Sequence, residues 1–258
     1  LLVVTSFNSG VVVVTGGASG LGRATVEKLV AAGAKVAVFD FNDAAGEALV
    51  AALGDAVFCQ RVNVADEVSV EAAIAATAAY FGAIHVCINY AGVGSATKTL
   101  SKKGVFPLAE FNRVLQVNLV GTFNVLRYAA EQMAKNEIVD GERGVIINTA
   151  SIAAYEGQMG QAAYSASKGG VVGMTLPIAR DLSTYGIRVN TIVPGLIHTP
   201  LFDSLDPNVI ASLSASVLNP QRLGRPEEIA HTAVFIIENA YVNGECIRVD
   251  GGIRMQPR

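Results

Sequence analysis

Tyr164 and Lys168 stand four residues apart, and Ser151 lies thirteen residues before the tyrosine. On a helix, two residues at a spacing of four share one face. A phenol alone is a poor proton carrier at neutral pH, because its reference pKa is about 10. A neighbouring ammonium favours the phenolate and lowers that value, each unit being worth about 1.4 kcal/mol. A tyrosine primed in this way can give a proton to a carbonyl oxygen or take one from an alcohol. Ser151 follows the apolar run Val145-Ile146-Ile147-Asn148-Thr149. It is therefore expected at the end of a strand, where its hydroxyl can polarise the same oxygen. By itself, Tyr-x-x-x-Lys is more often an exposed helix pair. It gains meaning only beside a nucleotide site, with the pieces in a workable order.

The elements that would position these residues begin near the start of the chain. Val11 to Val14 is a continuous β-branched run, as expected of a strand buried on both faces. It runs into Thr15-Gly16-Gly17-Ala18-Ser19-Gly20-Leu21-Gly22. A helical pattern follows over 23–32 and stops at Gly33. A glycine-rich turn between strand and helix lets backbone N–H groups approach a pyrophosphate at the helix N-terminus. The spacing Gly16-x-x-x-Gly20-x-Gly22 differs from the commoner Gly-x-Gly-x-x-Gly, and a tight turn without a ligand is the plainer alternative. Asp40 closes the second predicted strand, Lys35 to Asp40, eighteen residues past Gly22. There a carboxylate can accept hydrogen bonds from adenosine ribose hydroxyls and repel a 2′-phosphate, which favours NAD over NADP. Its plainer role is to cap the helix that begins near Asp43. Asn89-Tyr90-Ala91-Gly92 follows the fourth strand, and Pro194-Gly195 the sixth. Both fall at the strand edge where a ligand crevice is expected, although each alone is only a turn signal.

Further strands are predicted at 57–62, 84–89, 145–149, 187–193 and 245–249. Helices are predicted near 43–53, 66–81, 108–134, 161–184 and 226–238. Seven strands alternating with helices imply an α/β fold. The expectation is a single Rossmann-type, doubly wound domain over 1–258, with a seven-stranded parallel sheet and helices on both faces. Hydrophobic residues make up 51% of the 258 and charged ones 16%, a core-rich composition for a chain of this length. No apolar run approaches the roughly 18 residues that a membrane span needs. The net charge of −3, without a basic cluster, makes nucleic acid an unexpected partner. Cys59, Cys87 and Cys246 lack Cys-x-x-Cys spacing, and His85, His198 and His231 are far apart. Reduced core thiols are expected, and no metal. No Gly-x-Ser-x-Gly elbow or His-x-x-x-His pair supports a hydrolase or metalloprotease. No secretory or Arg-rich transit segment is visible, so a cytoplasmic protein is expected, or a mitochondrial matrix protein if a leader has been trimmed. The segment 1–10 resembles nothing recognisable.

In combination, the Thr-Gly-x-x-x-Gly-x-Gly loop, the Asn-x-Ala-Gly turn, the Ser151–Tyr164–Lys168 set and Pro194-Gly195 resemble the short-chain dehydrogenase/reductase family from Gly10 to the C-terminus. The resemblance implies an NAD(P)-dependent oxidoreductase acting on a carbonyl/alcohol pair. It implies Tyr164 as the acid–base, Ser151 as the group that positions the substrate oxygen, and Lys168 as a ribose ligand that also depresses the tyrosine pKa. Asn118 matches the family's asparagine that holds a proton-relay water. The cofactor would lie against Gly16, Ser19, Gly20, Leu21, Gly22, Asp40, Asn63, Val64, Asn89, Tyr90, Ala91, Gly92, Pro194, Gly195, Ile197 and Thr199, besides Tyr164 and Lys168. Gln161 would join Ser151 and Tyr164 at the substrate.

The stretches 156–164, 243–245 and 253–257 resemble more narrowly the members of the family that act on 3-hydroxyacyl-CoA, as does the long segment Gly94 to Pro107. Asn63-Val64 stands where that subgroup has Asp-Val, and Tyr90 replaces a smaller residue. An amide can still hydrogen-bond the adenine amine through its oxygen. The implied reaction is oxidation of a short- or medium-chain 3-hydroxyacyl-CoA to the 3-ketoacyl-CoA by a homotetramer. Alternatives are a carrier-protein or polyol/sugar reductase of the same family, or a nucleotide-binding scaffold without turnover. Two stretches suit an acyl-CoA. Residues 201–220 could close as a lid over the acyl chain. Lys98, Lys102 and Lys103, beside Val105 and Phe106, could meet CoA phosphates and the pantetheine arm, or could simply solvate a loop.

Overall fold

A computed structural model describes residues 10–200, 202 and 206–257. The chain opens with β1 (Val11–Thr15), all five residues buried. Then come α1 (Gly20–Ala31), β2 (Lys35–Asp40), α2 (Asp43–Leu53), β3 (Val57–Arg61), α3 (Glu67–Phe81) and β4 (Val86–Asn89). Asn42, not Asp40, caps α2, its side chain accepting from the N–H of Ala45. Asp66 does the same for α3.

Residues 94–107 are not a plain loop. They hold an antiparallel hairpin, β5 (Leu100–Ser101) with β6 (Gly104–Val105), and place Lys102 and Lys103 at its turn. The helix expected over 108–134 is interrupted. It consists of α4 (Leu108–Leu115), a π-helical turn Gln116–Val120, and α5 (Gly121–Met133). Next come β7 (Gly144–Thr149), a 3₁₀ turn Ile152–Ala154, α6 (Ala162–Leu182) and β8 (Ile187–Pro194). The chain continues with α7 (Pro207–Ala215), α8 (Pro226–Glu238) and β9 (Cys246–Val249). Part of the expected lid, at 201 and 203–205, lies outside the described residues, as do 1–9.

The seven long strands form one parallel sheet in the order β3-β2-β1-β4-β7-β8-β9. Alternate residues of a strand face opposite layers. Val12, Val14, Val36 and Val38 pack with Val26, Leu29, Leu49 and Ile236 of α1, α2 and α8. Val13, Ala37 and Cys87 pack with Ile74, Val125 and Ile178 of α3, α5 and α6. The winding reverses between β1 and β4, which lie side by side though far apart in sequence. In such sheets a ligand crevice opens beyond the carboxyl ends of the two strands at the reversal.

Candidate active site

The glycine turn reaches that crevice with no side chain to spare. Gly16 has φ +63°, and a Cβ on it would stand 3.0 Å from the backbone nitrogen of Ala91. A Cβ on Gly22 would lie 2.1 Å from the carbonyl oxygen of Gly16. Ser19 is the N-cap of α1 but its side chain makes no capping bond, and no acid sits in the first turn. The positive end of α1 is thus left to backbone N–H groups. Gly20, φ +50°, faces Thr199, whose Cγ2 would be 3.5 Å from an added Cβ. The segment 195–200 therefore lies against the loop. Ile197 is buried, and Gly195 abuts Asp250.

Asp40 closes the loop from the other side. Its Oδ2 accepts from the N–H of Ala18 and its Oδ1 from that of Asn42, both at 3.0 Å. A carboxylate has roughly four acceptor positions, so capacity remains for a ribose. Asn63 is exposed, and its Oδ1 already accepts from the N–H of Ala65 at 3.1 Å. Val64 is buried and faces Gly121, where an added Cβ would meet its Cγ2 at 2.7 Å. Tyr90 turns away from the crevice. Its side chain packs into the core beside α1, and its hydroxyl meets Thr25 Oγ1 at 3.0 Å. Burial pushes this phenol well up. Only the backbone of Tyr90 could serve a ligand. Asn89 is buried too, donating from Nδ2 to Asn148 Oδ1 at 3.0 Å.

Ser151, Tyr164, Lys168 and Asn118 come together beyond β7 and β4. Ser151 ends the connection from β7, and its Oγ accepts from the N–H of Ala153 at 3.1 Å. It hydrogen-bonds the Tyr164 hydroxyl as well. Lys168, one turn along α6, is 4% exposed. Its Nζ lies 5.8 Å from the centre of the Tyr164 ring and donates to the Thr149 carbonyl at 2.7 Å. Gly92 passes close over this group, since a Cβ there would be 3.3 Å from Asn118 Oδ1 and 3.6 Å from Lys168 Nζ.

The electrostatics differ from expectation. The Tyr164 phenol is raised, not lowered, because burial outweighs the hydrogen bond from Ser151. Burial also takes Lys168 down to about 8. The ammonium donates to the Thr149 carbonyl and lies over the Tyr164 ring, 5.8 Å from its centre. Gln161 caps the start of α6 by position, yet its Oε1 accepts from the N–H of Gln158 at 2.9 Å.

Asn118 is fully buried in the π turn and makes three side-chain bonds. Oδ1 accepts from the Val93 N–H at 2.7 Å, while Nδ2 donates to the Val93 carbonyl at 2.9 Å and to Ser167 Oγ at 3.0 Å. Ser167 in turn donates to the Tyr164 carbonyl at 2.7 Å. Sequence reasoning passed over Ser167. Its signal was slight: a hydroxyl three residues after the tyrosine can bond back to that carbonyl. A π turn within a helix is a frequent mark of a functional site.

These observations agree with comparison to known proteins. A family model described as enoyl-(acyl carrier protein) reductase matches residues 16–254. The 3-hydroxyacyl-CoA dehydrogenase type-2 of Homo sapiens is 54% identical over 250 residues, covering 96% of each chain. The chain belongs to the short-chain dehydrogenase/reductase family. The protein of the same name from Drosophila melanogaster is 51% identical, covering 96% of this chain and 99% of the relative. A crystal structure of 3-hydroxyacyl-CoA dehydrogenase type-2 from Mycobacterium avium is 41% identical and covers 98% of both chains, with a TM-score of 0.93.

Membership of this dehydrogenase family implies a nicotinamide cofactor. The residues present fit one. Gly16 and Gly22 leave no room for side chains where a pyrophosphate would approach, α1 presents uncapped N–H groups, and Asp40 has acceptor positions left. Among the described residues, no group of three or more His, Cys, Asp or Glu is placed to hold a metal ion, and no helix is long and apolar enough to cross a membrane.

Proposed function

We propose that this protein is an NAD-dependent dehydrogenase that interconverts 3-hydroxyacyl-CoA and 3-ketoacyl-CoA thioesters. One observation carries the reading. The chain is 54% identical, over nearly all of its length, to a relative named for that substrate, and Ser151, Tyr164 and Lys168 meet at the crevice. Bound nicotinamide supplies the hydride acceptor or donor. In the reducing direction, Tyr164 Oη gives its proton to the carbonyl oxygen; in the oxidising direction it takes the proton from the alcohol. Ser151 Oγ has one proton to give: before substrate binds it donates to Tyr164 and favours the phenolate, and with a carbonyl substrate bound it turns that donor to the substrate oxygen. Lys168 holds a positive charge over the ring face and a donor at the Thr149 carbonyl, where a ribose hydroxyl can join it. Asn118, through Ser167, keeps the first turn of α6 in place.

Asp40 favours NAD, since a 2′-phosphate would bring negative charge against its carboxylate. The hairpin of β5 and β6 serves the CoA end. Leu100 and Val105 are exposed on it, beside the turn lysines, whereas Phe106 packs edge-on to Phe111. Cys59, Cys87 and Cys246 are free thiols, consistent with a reducing compartment.

The test is the absorbance of NADH with purified protein and acetoacetyl-CoA, compared with NADPH and with a neutral ketone. Good turnover of the thioester with NADH is expected, and Lys102→Ala/Lys103→Ala should raise KM for the CoA ester alone. No activity on any 3-ketoacyl-CoA, together with good activity on a sugar or polyol, would sink the substrate reading.

A further inference from the structure

The segment between Ser151 and Tyr164 is bound to the far end of the chain. Arg248, on β9, donates from Nη1 and Nη2 to the two carboxylate oxygens of Glu156, at 2.8 and 3.3 Å. Its Nε donates to Asp250 Oδ2 at 2.8 Å. Glu156 also accepts from the N–H of Met255 at 3.1 Å, and Arg254 Nε lies 3.4 Å from its Oε1. Two more bonds run alongside. Gln158 Nε2 donates to the Gln256 carbonyl at 2.9 Å, and the N–H of Met159 donates to the Pro257 carbonyl at 3.0 Å. The side chains of Glu156 and Arg248 are only 20% and 24% exposed. Forked, partly desolvated pairing of this kind holds a geometry that a fully solvated ion pair would not.

The opposite side of the same segment is equally confined. A Cβ on Gly157 would lie 2.3 Å from Ser165 Oγ, against the first turn of α6. A Cβ on Gly160 would stand 3.2 Å from the backbone of Ala96, in the stretch that leads to the hairpin. Residues 155–161 are thus wedged between the chain's C-terminal residues, the 94–107 segment and the helix that carries Tyr164.

We propose that Glu156 is a positioning residue for substrate binding: braced by Arg248 and residues 254–257, it fixes the 155–161 wall of the crevice beside Ser151 and Tyr164. This rests on Ser151 and Tyr164 being the site of carbonyl chemistry. The brace acts on the substrate side: the glycine loop and Asp40 lie on other elements and share none of its bonds, and its one link toward the cofactor edge is Asp250, which Arg248 and Arg254 both bond and which abuts Gly195. A contact that only anchored the chain end would affect stability and leave the binding constants alone.

The test uses Glu156→Gln and the milder Arg254→Ala in the full chain. It measures KM and kcat for acetoacetyl-CoA, NAD affinity by calorimetry, and hydrogen exchange of the 152–161 amides without ligand. Glu156→Gln should raise KM about tenfold, with kcat and the NAD Kd changed less than about threefold. Exchange across 152–161 should quicken. Arg254→Ala should move the same readouts by less, and it decides the matter if Glu156→Gln does not fold. Faster exchange with an unchanged KM, or KM and NAD Kd rising in parallel, would overturn the proposal. A wild type inactive on acetoacetyl-CoA counts against the thioester reading instead. The brace is then judged by the same KM-to-Kd comparison on whichever ketone is reduced.

Discussion

In the proposed mechanism, Tyr164 carries a proton that no neighbour in the cluster can replace. Ser151 is too weak an acid, and Lys168 is turned to the Thr149 carbonyl. Tyr164→Phe keeps the ring and its packing and removes only the hydroxyl. Turnover should fall by about 10²–10⁴-fold or more, with NAD still bound in calorimetry; near-normal activity would remove Tyr164 from the mechanism. Lys168 gives a second expectation. Its pKa is 10.5 in the open chain and about 8 in the fold. Between those values the unfolded chain binds more protons, so stability rises with pH across that window. Below about pH 8 the cost of burying the ammonium is fully present, about 3 kcal/mol for a shift of this size. Urea unfolding of nucleotide-free protein should therefore show wild type gaining on Lys168→Met between pH 7.5 and 10. Tyr164 is common to both proteins, so its own titration cancels. A constant difference across that range would mean that the ammonium is not desolvated.

At the level of elements, the glycine turn and the π turn do opposite things. The first removes side chains so that backbone can approach backbone. Gly22→Ala would place a Cβ 2.1 Å from the Gly16 carbonyl oxygen, within an element that cannot retreat, because Gly16 is itself held to Phe39. A loss of about 1–3 kcal/mol is expected from overpacking of this kind, and NAD affinity should fall with it. Thermal unfolding and calorimetry on the same variant check both. The π turn instead inserts a polar side chain, Asn118, where an α-helix would leave it on another face. Its bonds to Val93 and Ser167 tie the end of β4 to the turn of α6 that carries Tyr164.

For the whole molecule, the outer faces of α5 and α6 remain to be covered. Phe123, Leu182 and Tyr185 line a groove between the two helices together with Arg127, Glu131 and Asp181, its floor being the buried Leu126, Ala130 and Ile178; Phe123 and Tyr185 are about half exposed. Half-exposed aromatic rings on a helix pair, rimmed by charged residues, suit a subunit interface. We infer a homo-oligomer, a tetramer by family resemblance, and light scattering at micromolar concentration should return its mass. Phe123→Asp should shift that mass downward, since it puts a charge into the groove. A monomer mass for the wild type would contradict the reading.

The chain's local chemistry was enough to specify the layers and the candidate reacting groups. Valine runs such as Val11 to Val14 read as buried strands because branched residues suit extended backbone, and Gly16, Gly20 and Gly22 read as a phosphate turn because glycine permits close approach, as at Gly16 and Gly22, and positive φ, as at Gly20. Ser151, Tyr164 and Lys168 were legible for the same reason, as residue types at fixed spacing. What lay beyond reach depended on contacts between distant residues. Local pattern could not foretell that the 108–134 helix breaks into a π turn, since the break is held by Val93 and Ser167, 25 and 49 residues from Asn118. Nor could it set the direction of the Tyr164 and Lys168 pKa values. These follow from how much water the assembled layers exclude, and spacing carries no information about desolvation. The brace from Arg248 to Glu156 spans 92 residues. Only the parallel sheet, by placing β9 beside β8 and β8 beside β7, brings its two ends together.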